Sequence, residues 1–251
     1  MLGTVGCVGD DLDPAPTGSQ PTPDTEADPV PDPTARFDFS CVGQALPGKA
    51  SDPVMISALT NDSYTGGLLP GVAVELRAVD GDYILAAAAS DATGVATLAV
   101  ATGYDPVPTY GRMIHAGHVD SYLYPSGPLW RDERNMFLPV LSPAWRDELA
   151  GYAGVDLDPS RGIVEVIVTD CAGERVEGAT VAFDPPADAV AYWDPTFTDA
   201  SATQTTINGH AWGFNVPAGE VHATITIGDV TYRDWAVRSY ADSRTLSWRA
   251  P

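Results

Sequence analysis

Beyond residue 50, apolar and polar residues alternate with a period of two along most of the chain, the pattern of strands with one buried and one solvated face. The first such runs are Val54 to Leu59, Val72 to Arg77, Tyr83 to Ala88 and Val95 to Val100, then Arg112 to Tyr124 with interruptions. A second set comprises Ile163 to Thr169, Ala179 to Asp184, Gln204 to Ile207, Ala211 to Val216, Val221 to Ile227, Thr231 to Arg238 and Arg244 to Trp248. Turn residues separate them, as in Asp80-Gly81-Asp82, Asp91-Ala92-Thr93-Gly94, Ala172-Gly173 and Pro217-Ala218-Gly219. One stretch follows a different period. In Ser142 to Tyr152, Ser142 is placed to cap a short helix, Pro143 suits its first position, and Trp145, Leu149 and Tyr152 fall on one face.

Residues 1–36 lack such a pattern. From Asp10 to Arg36 there are seven Pro and seven acids, and the first aromatic residue is Phe37. Pro and like charges favour an extended chain, and too little apolar surface is present to offset ordering entropy, so a disordered linker is expected. Before it, Leu2-Gly3-Thr4-Val5-Gly6-Cys7 resembles the end of a bacterial lipoprotein signal peptide, with Thr4 where Leu is usual. This implies lipidation at Cys7 and a cell-envelope location, either periplasmic or surface-facing on an outer membrane. Lipidation of Cys7 leaves Cys41 and Cys171, an even pair in a compartment that permits a disulfide.

The two sets of runs share a unit. Leu69-Pro70-Gly71-Val72-Ala73-Val74 can be laid on Val176-Glu177-Gly178-Ala179-Thr180-Val181, and Ser90 to Leu98 on Thr206 to Phe214 with one gap. Each unit has a Gly before an alternating strand, then a tight turn, then another alternating strand. These residues, with Val216-Pro217-Ala218-Gly219-Glu220-Val221, resemble the carboxypeptidase regulatory-like family of transthyretin-like (prealbumin-like) β-sandwich modules. His118 stands where that family usually has Tyr. The resemblance implies an all-β fold with two Ig-like modules: residues 37–141, then a helix and junction over 142–160, then residues 161–251. Such modules occur in adhesins, in transport receptors and beside enzymes, so they specify fold better than function.

Charge narrows the partners. The chain has 34 acidic residues against 13 basic ones, a net charge of −21, so phosphate backbones and anionic lipid surfaces would be repelled. Nucleic acid is excluded as a partner on this ground, and membrane contact is expected through the lipid anchor alone. No nucleophile elbow, His-Glu-x-x-His helix, phosphate-binding loop or dinucleotide fingerprint is present, and no cofactor is expected. The strongest metal candidates are His115, His118 and Asp120, in a segment that also holds Tyr122 and Tyr124. Their types suit zinc or iron. On a strand, however, His115 and His118 face opposite sides unless Gly117 breaks it.

Pairs Asp80/Asp82 and Asp156/Asp158 are of a type that binds calcium, but neither matches an EF-hand loop. Trp130, Tyr192 and Trp193 lie in turn-rich stretches and are the candidate ligand-binding aromatics; Trp212, Trp235 and Trp248 alternate with polar residues as core positions do. His210 and His222 are expected at the surface. The reading is a non-catalytic cell-envelope lipoprotein that binds an unidentified protein or glycan, or acts as a spacer. The alternatives are a metal-dependent protein built on His115 to Tyr124 and a glycan-binding surface module. The anchor is testable: Cys7→Ser in the full precursor is expected to move the protein from the membrane fraction to the soluble fraction, and an unchanged membrane fraction would reject lipidation at Cys7.

Overall fold

The computed structural model describes residues 34–46, 48–193, 196, 201–232 and 236–250. Cys7, most of the expected 1–36 linker and Trp235 lie outside the described residues. The described chain is mostly β, with one short helix and several sheets.

In the first half the strands are β1 (Val54–Asp62), β2 (Ala73–Ala78), β3 (Ile84–Ala89), β4 (Val95–Val100), β5 (Thr109–Ile114), β6 (Ser121–Tyr124) and β7 (Glu133–Val140). Helix α1 (Pro143–Tyr152) follows, and the Ser142 side chain accepts a hydrogen bond from the Trp145 N–H at its start. The second half holds β8 (Arg161–Val168), β9 (Thr180–Asp184), β10 (Ala189–Tyr192), β11 (His210–Pro217), β12 (Gly219–Ile227), β13 (Val230–Thr231), β14 (Ala236–Ser239) and β15 (Arg244–Arg249).

Four details depart from the sequence pattern. Arg112 to Tyr124 is a hairpin rather than one interrupted strand, because Gly117 adopts φ 79° in the turn between β5 and β6. Gln204 to Ile207 is not a strand. Strands β7 and β10 carry no clean alternation: β7 contains Asn135 at φ 58°, a register shift against β1, and Pro139, all features of an edge strand. Tyr152, expected on the buried face of α1, is exposed, and its hydroxyl donates to Glu148. The buried residues of the helix are Leu149 and Ala150.

Pairing repeats between the halves. In the first, β1 pairs antiparallel with β4 and parallel with β7; in the second, β8 pairs antiparallel with β11 and parallel with β15. The facing layers are β3-β2-β5-β6 in the first half and β9, β12 and β14 in the second. Each half is thus a β-sandwich. The two are fused, because β15 also pairs in parallel with β6, giving one eight-stranded sheet in the order β10-β11-β8-β15-β6-β5-β2-β3. This sheet crosses the junction expected near residue 160, and residues 32–251 form one compact unit.

The fused sheet is covered on opposite faces. Val164, Val166 and Val168 of β8, with Tyr122 and Tyr124 of β6, face a core completed by Val221, Ala223 and Ile225 of β12. Leu123 of β6, Ile167 of β8 and Leu246 of β15 project the other way, into a core with Val54 and Ile56 of β1 and Leu138 of β7. Alternation in the sheet therefore feeds two cores, and its central strands are buried on both sides. A third cluster lies under α1, where Leu141, Leu149, Ile163, Trp193, Trp212 and Phe214 meet.

The turn before β11 has little steric latitude: Gly209 has φ 68°, and a Cβ there would lie 2.7 Å from the Val168 carbonyl oxygen.

The segment before β1 docks on the second sandwich, not on the first that follows it in sequence. Phe37 and Phe39 pack against the second core, Phe39 meets Tyr232 edge-on, and the Cys171 N–H donates to the Asp38 carbonyl at 2.8 Å. Arg36, just before Phe37, pairs with Glu177. Cys41 and Cys171 are joined by a disulfide that encloses a sequence separation of 130 residues. In the chain-entropy picture, closing a loop of that length stabilises by roughly 4–5 kcal/mol. Replacing both cysteines with Ala is expected to lower the unfolding free energy in denaturant titration by up to that amount; an unchanged midpoint would show that the bridge adds nothing.

Candidate functional site

Between the two sandwiches lies a cleft of about 1060 Å³. Its floor is the outer face of the second sandwich: His210 and Trp212 from β11, Glu165 and Ile167 from β8, and Arg244, Leu246 and Trp248 from β15. One wall is strand β7 with the Gly127 to Arg131 segment before it, and the rim includes Tyr64 and Trp145, whose rings stack 4.5 Å apart. The outward side chains along β8 explain why a cleft exists there. Ile163 is covered by the helix cluster and Ile167 by the first core, and Glu165 sits between them where neither reaches.

Glu165 is 1 % exposed, on a strand that otherwise reads Ile-Val-x-Val-Ile-Val. A buried carboxylate requires partners. Arg244, on the parallel strand β15 in register with Ile163, donates to Oε2 through Nε at 2.7 Å and through Nη2. His210 Nδ1 lies 2.6 Å from the other oxygen, Oε1. Burial alone would raise the Glu165 pKa, but the charge of Arg244 and the contact with His210 outweigh it and hold the group below the usual carboxylate range. The remaining Arg244 nitrogen, Nη1, donates to the Pro139 carbonyl of β7 at 3.1 Å, so the same side chain ties floor to wall.

Three guanidinium groups around the cleft lie over indole rings: Arg244 over Trp212 at 5.4 Å, Arg175 over Trp248 at 4.6 Å, and Arg131 over Trp130 at 4.7 Å. Each cation is attracted by the quadrupole of the ring beneath it. Several polar atoms on this lining are buried without a hydrogen-bond partner, namely Arg175 Nη1, Trp212 Nε1, Asn61 Oδ1 and Ser63 Oγ. Desolvation also depresses the Arg175 pKa, the Glu165 charge opposing it.

Of the residues proposed from sequence, Trp130 lines the cleft. Tyr192 and Trp193 do not form an exposed platform. β10 pairs with β11, so Tyr192 enters the second core, where its hydroxyl bonds to the Val181 backbone, and Trp193 is 0 % exposed under α1. His210 is not a surface histidine: its side chain is 16 % exposed and faces Glu165. His222 is exposed beside Glu220. The sequence signal that could have found the cluster is Glu165 itself, a lone carboxylate in an apolar run.

The turn after β5 does bring His115 and His118 together, their Nδ1 atoms 2.9 Å apart, but His118 then contacts Asp62 at 3.0 Å while Asp120 pairs with Arg112 at 2.9 Å. Among the described residues no group of three or more His, Cys, Asp or Glu is arranged to hold a metal ion. Asp82 is taken up by Arg77 and the Tyr110 hydroxyl, and Asp158 by the Ser160 backbone and hydroxyl. These hydrogen bonds hold both carboxyls below their ordinary pKa.

No family model and no curated protein matches this chain. Solved structures that align with it include the Bacillus anthracis TIE protein, at 11 % identity over 80 % of this chain and 34 % of that one, with a TM-score of 0.29. The chain thus spans about a third of that protein's length. Others are the shaft pilin SpaA from Lactobacillus rhamnosus GG, at 14 % identity over 80 % and 97 % of the two chains with a TM-score of 0.25, and the minor pilin GBS52 of Streptococcus agalactiae, at 12 % identity over 78 % and 94 % with a TM-score of 0.26.

The Glu165 cluster sets an acid limit. Its folded-state pKa is lowered, so its contribution to stability is present above the unfolded-state value and is lost as pH falls through the folded value. Glu165→Gln leaves Arg244 buried without its counter-charge and is expected to cost about 3–5 kcal/mol at pH 7. Chemical denaturation at a series of pH values should show that cost shrinking as the wild-type carboxyl protonates. A pH-independent difference would mean that lost charge is not its origin.

Proposed function

We propose that this chain is a non-catalytic, extracytoplasmic β-sandwich module that binds a glycan in the cleft between its two sandwiches, and that lipidation of Cys7 with the Pro-rich segment after it tethers the module to the cell envelope. The observation that carries this reading is the cleft itself, about 1060 Å³ and lined by Trp130, Trp145, Trp212 and Trp248 with a few oriented polar groups. Concave sites of that size that combine flat aromatic rings with polar groups suit ring-shaped ligands. Support for an oxidising location comes from the Cys41–Cys171 disulfide.

Chemistry in the cleft favours holding over turnover. Both oxygens of Glu165 are engaged, and its lowered pKa makes it a weak base and a poor acid near neutral pH. A glycan also fits better than an extended peptide. The floor strands β11, β8 and β15 each pair on both sides, and the β7 edge contains Pro139, which lacks an N–H and whose carbonyl is taken by Arg244.

Affinity electrophoresis of the purified full chain through gels containing neutral or acidic polysaccharides tests this reading. Retardation by at least one polysaccharide is expected, weakened by Trp130→Ala, with no new reducing ends after prolonged incubation. Shortened product would overturn the non-catalytic assignment, and retardation indifferent to Trp130→Ala would remove the cleft as the binding site.

A further inference from the structure

The cleft carries a surplus of positive charge in a chain whose net charge is −21. Four arginines line it, Arg131, Arg134, Arg175 and Arg244, against the carboxylates of Glu133 and Glu165. The surplus is sharpest at the floor. Glu165 is already engaged by Arg244 at one oxygen and by His210 at the other, and a single carboxylate cannot neutralise two guanidinium groups. Arg175 is the second guanidinium. It is half-buried, it lies over Trp248 at 4.6 Å, and its Nη1 has no hydrogen-bond acceptor. An unsatisfied donor on a partly desolvated cation is costly to maintain, and native proteins keep such groups where an anion completes them.

Resting on the glycan-binding reading above, we infer that the ligand is an acidic saccharide, a sugar chain whose carboxylate or sulfate accepts hydrogen bonds from Arg175 at the cleft floor. The shared chemistry is a planar or tetrahedral oxyanion on a ring-bearing ligand. A guanidinium can present two parallel N–H groups to such an oxyanion. Arg175 is thereby a specificity residue.

Calorimetry on the purified full chain with paired probes tests the inference: trigalacturonate against its methyl ester, and a sulfated dextran oligosaccharide against the unsulfated one. At least one charged probe is expected to bind about 10-fold or more tightly than its neutral partner, and the two pairs distinguish carboxylate from sulfate. Arg175→Gln is expected to abolish that preference while the neutral probe still binds; loss of binding to charged and neutral probes alike would mark a structural arginine and overturn its assignment. If Gln at this position disturbs folding, Arg175→Lys keeps the charge without the paired donors and is expected to reduce the preference. Equal binding of charged and neutral probes would overturn the anion assignment and leave the glycan site standing. A preference that survives in Arg175→Gln, or an acidic hexapeptide that binds as tightly as the charged saccharide, would overturn it as well. Absence of binding to every saccharide would defeat the glycan reading too.

Discussion

The last strand of the chain is the element on which the assembly of the two sandwiches depends. β15 lies between β8 and β6 and pairs in parallel with both, so the sheet of the second sandwich continues into the sheet of the first. Without it, no strand pairing among the described residues would join the halves. Because the shared sheet has a core on each face, the sandwiches are offset, and the part of the sheet covered by neither becomes the floor of the cleft. The cleft is in this sense a product of topology: fusing two sandwiches edge to edge on opposite faces leaves uncovered sheet between them, and polar residues are needed there.

Those polar residues come from three strands separated in sequence. Glu165, His210 and Arg244 meet because β11, β8 and β15 are neighbours, and each neutralises or orients another. A buried ion pair of this kind is weak evidence for stability, since desolvation opposes its Coulomb gain. Its clearer consequence is geometric. Arg244 links the floor to the Pro139 carbonyl on the wall, and so holds the two sides of the cleft at a fixed separation.

How much of this was legible in the sequence follows from the range of each interaction. Strands such as Val221 to Ile227 were readable because alternation is local, and the helix after Ser142 because its cap and its Pro are adjacent in sequence. The matched turns at Gly94 and Gly209 were readable because both require φ > 0. Strand β7 was not: a bulge at Asn135 and a proline erase its alternation, as befits an edge. Tyr192 and Trp193 were misplaced because the surrounding Asp and Pro suggest a turn, whereas pairing with β11 sends both rings inward. The site itself was the least legible part. Trp130 was identified from its turn-rich setting, but His210 acquires its role only from Glu165, 45 residues away.

The disulfide also determines how tension would travel through the molecule. A pull applied to the segment before Cys41 reaches the covalent bridge and passes directly to Cys171, on the second sandwich. The residues between them, including every strand of the first sandwich, form a closed loop that tension between the ends of the chain does not stretch. Were the bridge absent, that stretch, a sequence separation of 130, could pay out at roughly 3.3–3.6 Å per residue. With it, the first sandwich and the β7 wall of the cleft are mechanically shielded, and the extension available to an anchored chain is limited to its leading segment and the strands after Cys171.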